Sequence, residues 1–167
     1  ALHQVGGSNN AYTSHDVTSY HCTLPAVNIE TAFWLESDRM LGLAFNKKSL
    51  EVQKKVVIEE FKEVYLNQPY GDAWLHLTQL AYKKHPYQFP VIGKAISHIE
   101  QMTIEEVKAF FQKFYVPNNA VLVVAGGVEV DQVKKLSQKW FGPIPSGKVS
   151  PKNFPVEPIQ QTPYQLT

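Results

Sequence analysis

The chain has 167 residues, with 16 Lys and Arg against 15 Asp and Glu, and a hydrophobic content of 44%. This length suits one packed domain or a compact half of a larger one, the composition excludes intrinsic disorder, and a formal charge of +1 gives no electrostatic reason to expect nucleic acid as a partner. No apolar run approaches the roughly 20 residues that a membrane span needs, and a single cysteine, Cys22, forms no internal disulfide and no cysteine metal cluster.

The first quarter of the chain predicts a strand followed by a helix. A turn cluster at 6–10 leads into residues 11–24, which are rich in Tyr, Thr, Val and His and alternate loosely with a period of two. This pattern favours one strand, which Pro25 ends. Residues 28–43 predict a helix that Asn28 can cap. Because that helix is apolar over much of its circumference, we expect it to be well buried.

Helices dominate the middle of the chain. A capping box from Thr103 to Glu106 opens a helix that runs to about Tyr115, and a short apolar strand is predicted over 120–125, before Gly126-Gly127. Further helices are predicted over 49–67, 71–82 and 131–140, with one helical turn within 93–101. This order of elements predicts an α+β fold with helices on one face of a sheet.

The end of the chain is rich in proline. Six of the 11 prolines fall in the final 26 residues, which excludes a helix there. We predict an extended linker over 143–167, with one edge strand near Tyr164-Gln165-Leu166.

One predicted helix carries a carboxylate among its apolar residues. At about 100° per residue from Val56, the apolar side chains fall between about 0° and 140°, with Glu60 at about 40° and Gln53 at about 60°. A carboxylate on a core-facing stripe costs several kcal/mol unless a cation, a metal or donors meet it. We therefore expect either an Arg or Lys partner for Glu60, a narrower stripe with Glu60 at its rim, or a metal ion. The six histidines show no H-x-x-E-H or H-E-x-x-H spacing that would complete a metal site.

Short motifs occur in a fixed order along residues 4–142. They are Gly6-Gly7-Ser8-Asn9-Asn10-Ala11-Tyr12-Thr13-Ser14, Leu35-Glu36-Ser37-Asp38-Arg39-Met40, Val56-Val57-Ile58-Glu59-Glu60, Asn67-Gln68-Pro69-Tyr70-Gly71, His85-Pro86-Tyr87, Val91-Ile92-Gly93, Tyr115-x-Pro117-x-Asn119-Ala120 and Phe141-Gly142. Together they resemble the pitrilysin/insulinase family of zinc peptidases, and especially its bacterial members that are built like a mitochondrial processing peptidase subunit. The resemblance implies an α+β metallohydrolase half-domain with a mostly antiparallel sheet.

The resemblance also implies a zinc site that this chain holds only in part. The family binds Zn²⁺ through the two His of an inverted H-x-x-E-H motif and a downstream Glu, and the Glu inside the motif activates the water. Glu60 matches the downstream ligand, and Gln53 stands where a second carboxylate often lies, so that it is expected to orient Glu60 by hydrogen bonding. Asn10, Ala11 and Tyr12 match the edge at which a peptide substrate docks by β-pairing. The alternative for that edge is an ordinary edge strand blunted by polar residues.

In the family the H-x-x-E-H motif precedes the Gly-Gly turn, so we expect it upstream of Ala1. Residues 1–142 would then be most of an N-terminal peptidase half-domain that alone holds no zinc tightly and cleaves nothing, and 143–167 would lead to a second half-domain or a homologous subunit. The intact protein would hydrolyse peptides or proteins with a metal-activated water. The rivals are a non-catalytic partner subunit of a heteromeric peptidase, which holds peptide or stabilises the active subunit, and a stand-alone binding module. The compartment stays open.

Overall fold

The computed structural model describes residues 2–44, 46–148 and 151–165. This part of the chain contains two strands and six α-helices. They are β1 (Ser8–Thr13), β2 (Thr18–Thr23), α1 (Ile29–Leu41), α2 (Lys47–Phe61), α3 (Ala73–Ala81), α4 (Ile96–Gln101), α5 (Ile104–Phe114) and α6 (Val130–Trp140). The α+β class is confirmed, and the predicted helices form within a few residues of their expected bounds.

The strand predicted over 11–24 is instead a β-hairpin. β1 pairs with β2 in antiparallel register, from Ser8 opposite Thr23 to Thr13 opposite Thr18. The prediction of one strand was wrong because a two-residue alternation can continue through both arms of a hairpin, and only turn-forming residues divide it. Ser14 and Asp16, between the two arms, are residues of that kind.

The described residues divide into two compact units. The first contains β1, β2, α1, α6 and nearly all of α5, and the second contains the hairpin turn 14–16, α2, α3, α4 and the segment 151–165.

The core of the first unit includes the contact between α1 and α6. Its buried apolar side chains are Leu2, Ile29, Phe33, Phe111, Val116 and Ile144. Phe33 meets Phe141 edge to ring, with 6.2 Å between the centroids. Only one face of α1 is buried, since Trp34 and Leu41 are exposed, so the expectation of a well-buried helix was wrong. Asn28 does not cap α1 either, because its amide donates to the Val5 carbonyl at 3.0 Å.

The core of the second unit lies under the last turn of α2. Phe61 and Ile99 are buried there, and Phe61 packs on Tyr65 with ring centroids 5.2 Å apart. Lys54 Nζ donates to the Glu100 carbonyl at 2.9 Å, which ties α2 to the end of α4. After Phe61 the helix widens into a π-helical turn, Lys62–Leu66.

Two predicted strands do not form in the described residues. Residues 120–125 have no regular secondary structure and pair with no described strand, and Val121 is 90% exposed. That prediction was wrong because an apolar run becomes a strand only when another backbone pairs with it. Residues 151–165 are irregular, without the predicted edge strand at Tyr164 and Gln165, and Leu166 lies outside the described residues.

Candidate functional site

Glu60 lies on an exposed face of α2. Val52, Val56 and Val64, which flank it on that face, are all exposed, with Val56 at 52%. The buried face of the helix is centred on Phe61, with Val57 and Ile58 half-buried beside it. The expectation that Glu60 faces the core was therefore wrong. The buried stripe is narrower than expected, but Glu60 lies outside it among exposed valines and not at its rim.

This exposure changes the electrostatic argument for a metal. An exposed carboxylate keeps its water shell, so no burial cost demands a cation beside Glu60. Among the described residues no hydrogen bond or ion pair engages the Glu60 carboxylate, whereas the carboxylate of the adjacent Glu59 pairs with Lys62 Nζ at 2.7 Å. The Glu60 carboxylate is thus free to meet a cation that other residues bring to it.

Gln53 lies on the same side of α2 and is also exposed. Seven residues separate it from Glu60, which is a rise of about 10 Å along an α-helix. In the described residues the two side chains share no hydrogen bond.

The described part of the chain does not complete a zinc site. Catalytic zinc takes three protein ligands and a water, and no cluster of three or more His, Cys, Asp or Glu side chains occurs within residues 2–44, 46–148 and 151–165. Glu60 could supply one of these ligands, and the described residues do not supply the other two. No hydrolytic step can therefore be derived from these side chains alone.

β1 is exposed along its whole length, including Asn10, Ala11 and Tyr12. One edge of β1 pairs with β2, and no described strand covers the other edge. The Ala11 N–H donates to the side-chain oxygen of Asn10 at 2.8 Å, so this backbone donor finds its acceptor within its own strand. An uncovered strand edge can accept an extended peptide, and at Ala11 the peptide carbonyl would replace the Asn10 side-chain oxygen as acceptor.

A tyrosine pair that the sequence did not reveal holds the hairpin in the first unit. Tyr20, which lies opposite Ala11, joins its hydroxyl to that of Tyr115 at 2.5 Å. The Arg39 guanidinium lies 4.3 Å from the centre of the Tyr20 ring and pairs with Glu36 at 2.9 Å. These contacts fix the hairpin face that carries Ala11 and leave the face that carries Asn10 and Tyr12 open. Because the two tyrosines are 95 residues apart, no local pattern could have joined them.

Comparison with family models gives two matches along the chain. Residues 1–95 match the family described as "Insulinase (Peptidase family M16)", and residues 101–167 match the one described as "Peptidase M16 inactive domain".

No described helix is long and apolar enough to pass through a bilayer.

Among curated proteins, the chain is 31% identical to the zinc protease PqqE of Helicobacter pylori, over 94% of this chain and 36% of that protein. It is 27% identical to the mitochondrial-processing peptidase subunit beta of Caenorhabditis elegans, over 92% of this chain and 33% of that protein. The chain therefore spans about a third of the length of these relatives.

Solved structures show the same likeness. A protease from Helicobacter pylori superposes with a TM-score of 0.83 at 28% identity. The match covers 93% of this chain and 37% of the protease chain. The first half of the periplasmic protease PqqL from Escherichia coli gives a TM-score of 0.75 at 18% identity, and covers 91% of this chain and 32% of that one. At that identity the second likeness concerns the fold alone.

Proposed function

The chain belongs to the insulinase family, peptidase family M16, and on that premise we propose that it is part of a zinc metalloendopeptidase that hydrolyses peptides or proteins with a metal-activated water. Residues 1–142 are proposed to be most of the N-terminal half-domain and to carry one of its zinc ligands, and residues 143–167 lead toward a second half-domain or a homologous subunit. The remaining ligands and the general base are contributed by residues outside this chain. The chain by itself then binds no zinc tightly and cleaves nothing.

Glu60 is proposed as the zinc ligand that this chain contributes. The observation that carries the proposal is a carboxylate without a partner among the described residues, at the centre of an exposed helix face between Val56 and Val64. A helix face that is apolar on both sides of an acid suits a second helix that packs there and brings the other ligands. Gln53, on the same side of α2, is proposed to orient Glu60 once that face is covered.

Asn10, Ala11 and Tyr12 are proposed as the substrate-docking edge. An extended peptide would add to β1 as a further strand, with backbone hydrogen bonds that do not depend on its sequence. The open hairpin face would then receive alternate side chains of the peptide beside Tyr12, which is 61% exposed.

The test uses the natural-length protein and an internally quenched peptide substrate. Glu60→Gln should lower both bound zinc and the rate of cleavage by on the order of 100-fold or more, since even the loss of a residue that supports a ligand costs 10- to 100-fold. Glu59→Gln is the matched control, because it removes a neighbouring carboxylate that already pairs with Lys62. A chelator should abolish activity, and added zinc should restore it.

The same experiment separates the rival function. If the natural-length protein binds no zinc and Glu60→Gln changes nothing, while the protein still retains peptide or raises the activity of another subunit, then it is a non-catalytic partner subunit. Full activity of Glu60→Gln with zinc still bound would exclude Glu60 as the ligand.

A further inference from the structure

The Glu157 carboxylate is surrounded by backbone N–H groups of one loop in the second unit. Lys83 N–H donates to one carboxylate oxygen at 3.0 Å, and Lys84 N–H donates to the other at 2.7 Å. His85 N–H donates to the same oxygen as Lys84. These three N–H groups are called the carboxylate nest below. Three successive backbone donors on one anion form the kind of concavity that binds carboxylates and phosphates in other proteins.

The carboxylate nest follows the C-terminal end of a helix, so the helix dipole does not explain why a carboxylate binds there. α3 ends at Ala81, immediately before the loop, and the C-terminal end of a helix carries partial negative charge that disfavours a carboxylate. Burial raises the pKa of Glu157, but the backbone hydrogen bonds from His85, Lys83 and Lys84 together lower it by more. The pKa of Glu157 therefore lies below its usual value. The charged form of Glu157 is therefore the one that the nest holds.

Three further side chains of the same segment, residues 151–165, contact the rest of the second unit. The contacts are Phe154 on the His85 ring at 4.8 Å, Lys83 Nζ over the Tyr164 ring at 4.6 Å, and Lys152 Nζ to Asp16 at 3.6 Å. Apart from Glu157, which is half-buried, every residue of the segment is exposed. A few point contacts rather than a buried apolar face thus hold the segment.

The prolines of the segment favour this form of attachment. Pro151, Pro155, Pro158 and Pro163 restrict the backbone to extended conformations, so that docking costs less conformational entropy than it would for a flexible chain. An extended and pre-ordered segment that is held at isolated points can leave the surface without unfolding anything else.

We propose that residues 151–165 form a releasable strap, anchored to the second unit by Glu157 in the carboxylate nest. While the strap is anchored, its last described residue, Gln165, is held at one place on this unit. When Glu157 and the three other contacts are released together, residues 151–165 are free to move, with a reach of about 3.1 Å for each extended residue. The contact thus restrains residues 151–165, and this proposal does not depend on the proposed peptidase activity.

The test is amide hydrogen exchange on this chain, with the exchange of Lys83, Lys84 and His85 as the readout. Glu157→Ala should speed exchange at these three amides by roughly tenfold or more, because it removes hydrogen bonds to a charged acceptor. Glu157→Gln, of the same shape but without charge, should fall between Glu157→Ala and the wild type. Trypsin should also cleave after Lys152 faster in Glu157→Ala.

Gln161→Ala is the matched control, since it shortens an exposed side chain of the same segment and should leave the three amides and the trypsin rate unchanged. Hydrogen exchange in α2 reports whether a variant still folds. If Glu157→Ala does not fold, the exchange rates of Glu157→Gln decide whether the proposal holds. The proposal is overturned if Lys83, Lys84 and His85 exchange at the wild-type rate in Glu157→Gln and Glu157→Ala, or if Gln161→Ala exposes them equally.

Discussion

The hydroxyl groups of Tyr20 and Tyr115 lie 2.5 Å apart and join β2 to the residue that follows α5. The pair stands behind Ala11, at the centre of the proposed docking edge, and it links the hairpin to the core, since Tyr115 stacks on the buried Phe111 with 4.8 Å between ring centroids. The stability of this pair therefore bears on the position of the strand that would receive substrate.

Tyr115→Phe should lower the free energy of unfolding by about 0.5–1.5 kcal/mol, because it removes one hydrogen bond and little volume. The value should fall toward the lower end, since the exposed Tyr20 hydroxyl can turn to water. Urea denaturation measures the change. Tyr12→Phe is the control, because Tyr12 is exposed and its loss of a hydroxyl should be neutral; an equal loss in both variants would show that the Tyr20–Tyr115 bond contributes nothing.

The same pair predicts a response to high pH. Burial, followed by the hydrogen bond with Tyr20, raises the pKa of Tyr115 above its usual value of 10.0. A raised pKa in the folded state means that its contribution to stability is complete below about pH 10 and is lost as the pH rises toward the folded-state pKa. Between about pH 9 and pH 11 the wild type should lose more thermal stability than Tyr115→Phe. Parallel losses in the two proteins would contradict this assignment.

Phe33→Ala tests the core of the first unit. Phe33 is 3% exposed and packs on Phe141, so its truncation should cost about 3–5 kcal/mol by loss of burial and creation of a cavity. Val27→Ala is the control at an exposed position and should change stability by less than about 0.5 kcal/mol. A cost below about 1 kcal/mol for Phe33→Ala would mean that α1 does not depend on this contact.

Glu30 links α1 to α6. Its carboxylate accepts from Lys139 Nζ at 2.6 Å and from Trp140 Nε1 at 3.1 Å, and these two hydrogen bonds lower the pKa of Glu30 below its usual value of 4.5. Since the folded-state pKa is lowered, the stabilisation is present above about pH 4.5 and is lost as the pH falls through the folded-state pKa.

Glu30→Gln should therefore lower the melting temperature at about pH 7 and have a smaller effect at an acidic pH below the folded-state pKa of Glu30, where the wild-type carboxyl is also protonated. Glu129→Gln, an exposed glutamate before α6, is the control. A melting difference between wild type and Glu30→Gln that is the same at both pH values would show that the carboxylate charge is not what joins the two helices.

Ala11→Pro tests the docking edge in the natural-length protein. Proline removes the Ala11 N–H but is tolerated on edge strands, so the fold should persist while peptide pairing weakens. We expect kcat/KM for an extended peptide to fall by about tenfold, as for the loss of one backbone hydrogen bond. Ala11→Ser, which keeps the N–H, should retain activity; if Ala11→Pro is equally active, the peptide does not pair at this position.

Local sequence patterns determined much of this protein. Apolar periodicity and turn residues predicted the helices to within a few residues, because a helix face and its ends are set by residues close together in the chain. Motif order placed the chain in its family. The wheel over α2 correctly grouped Glu60 with Val56 and Val64 on one side, because angular position on a helix follows from spacing alone.

The tertiary structure decided everything that depends on what lies opposite a residue. A helical wheel says which side chains share a face but not whether anything covers it, so Glu60 was expected inside and is exposed. The apolar run at 120–125 lacks a described pairing partner for the same reason. Tyr20 with Tyr115, and Glu157 with the carboxylate nest, are contacts over 95 and 72 to 74 residues. Such contacts arise only when the folded backbone brings distant donors and acceptors together, and spacing along the chain carries no record of them.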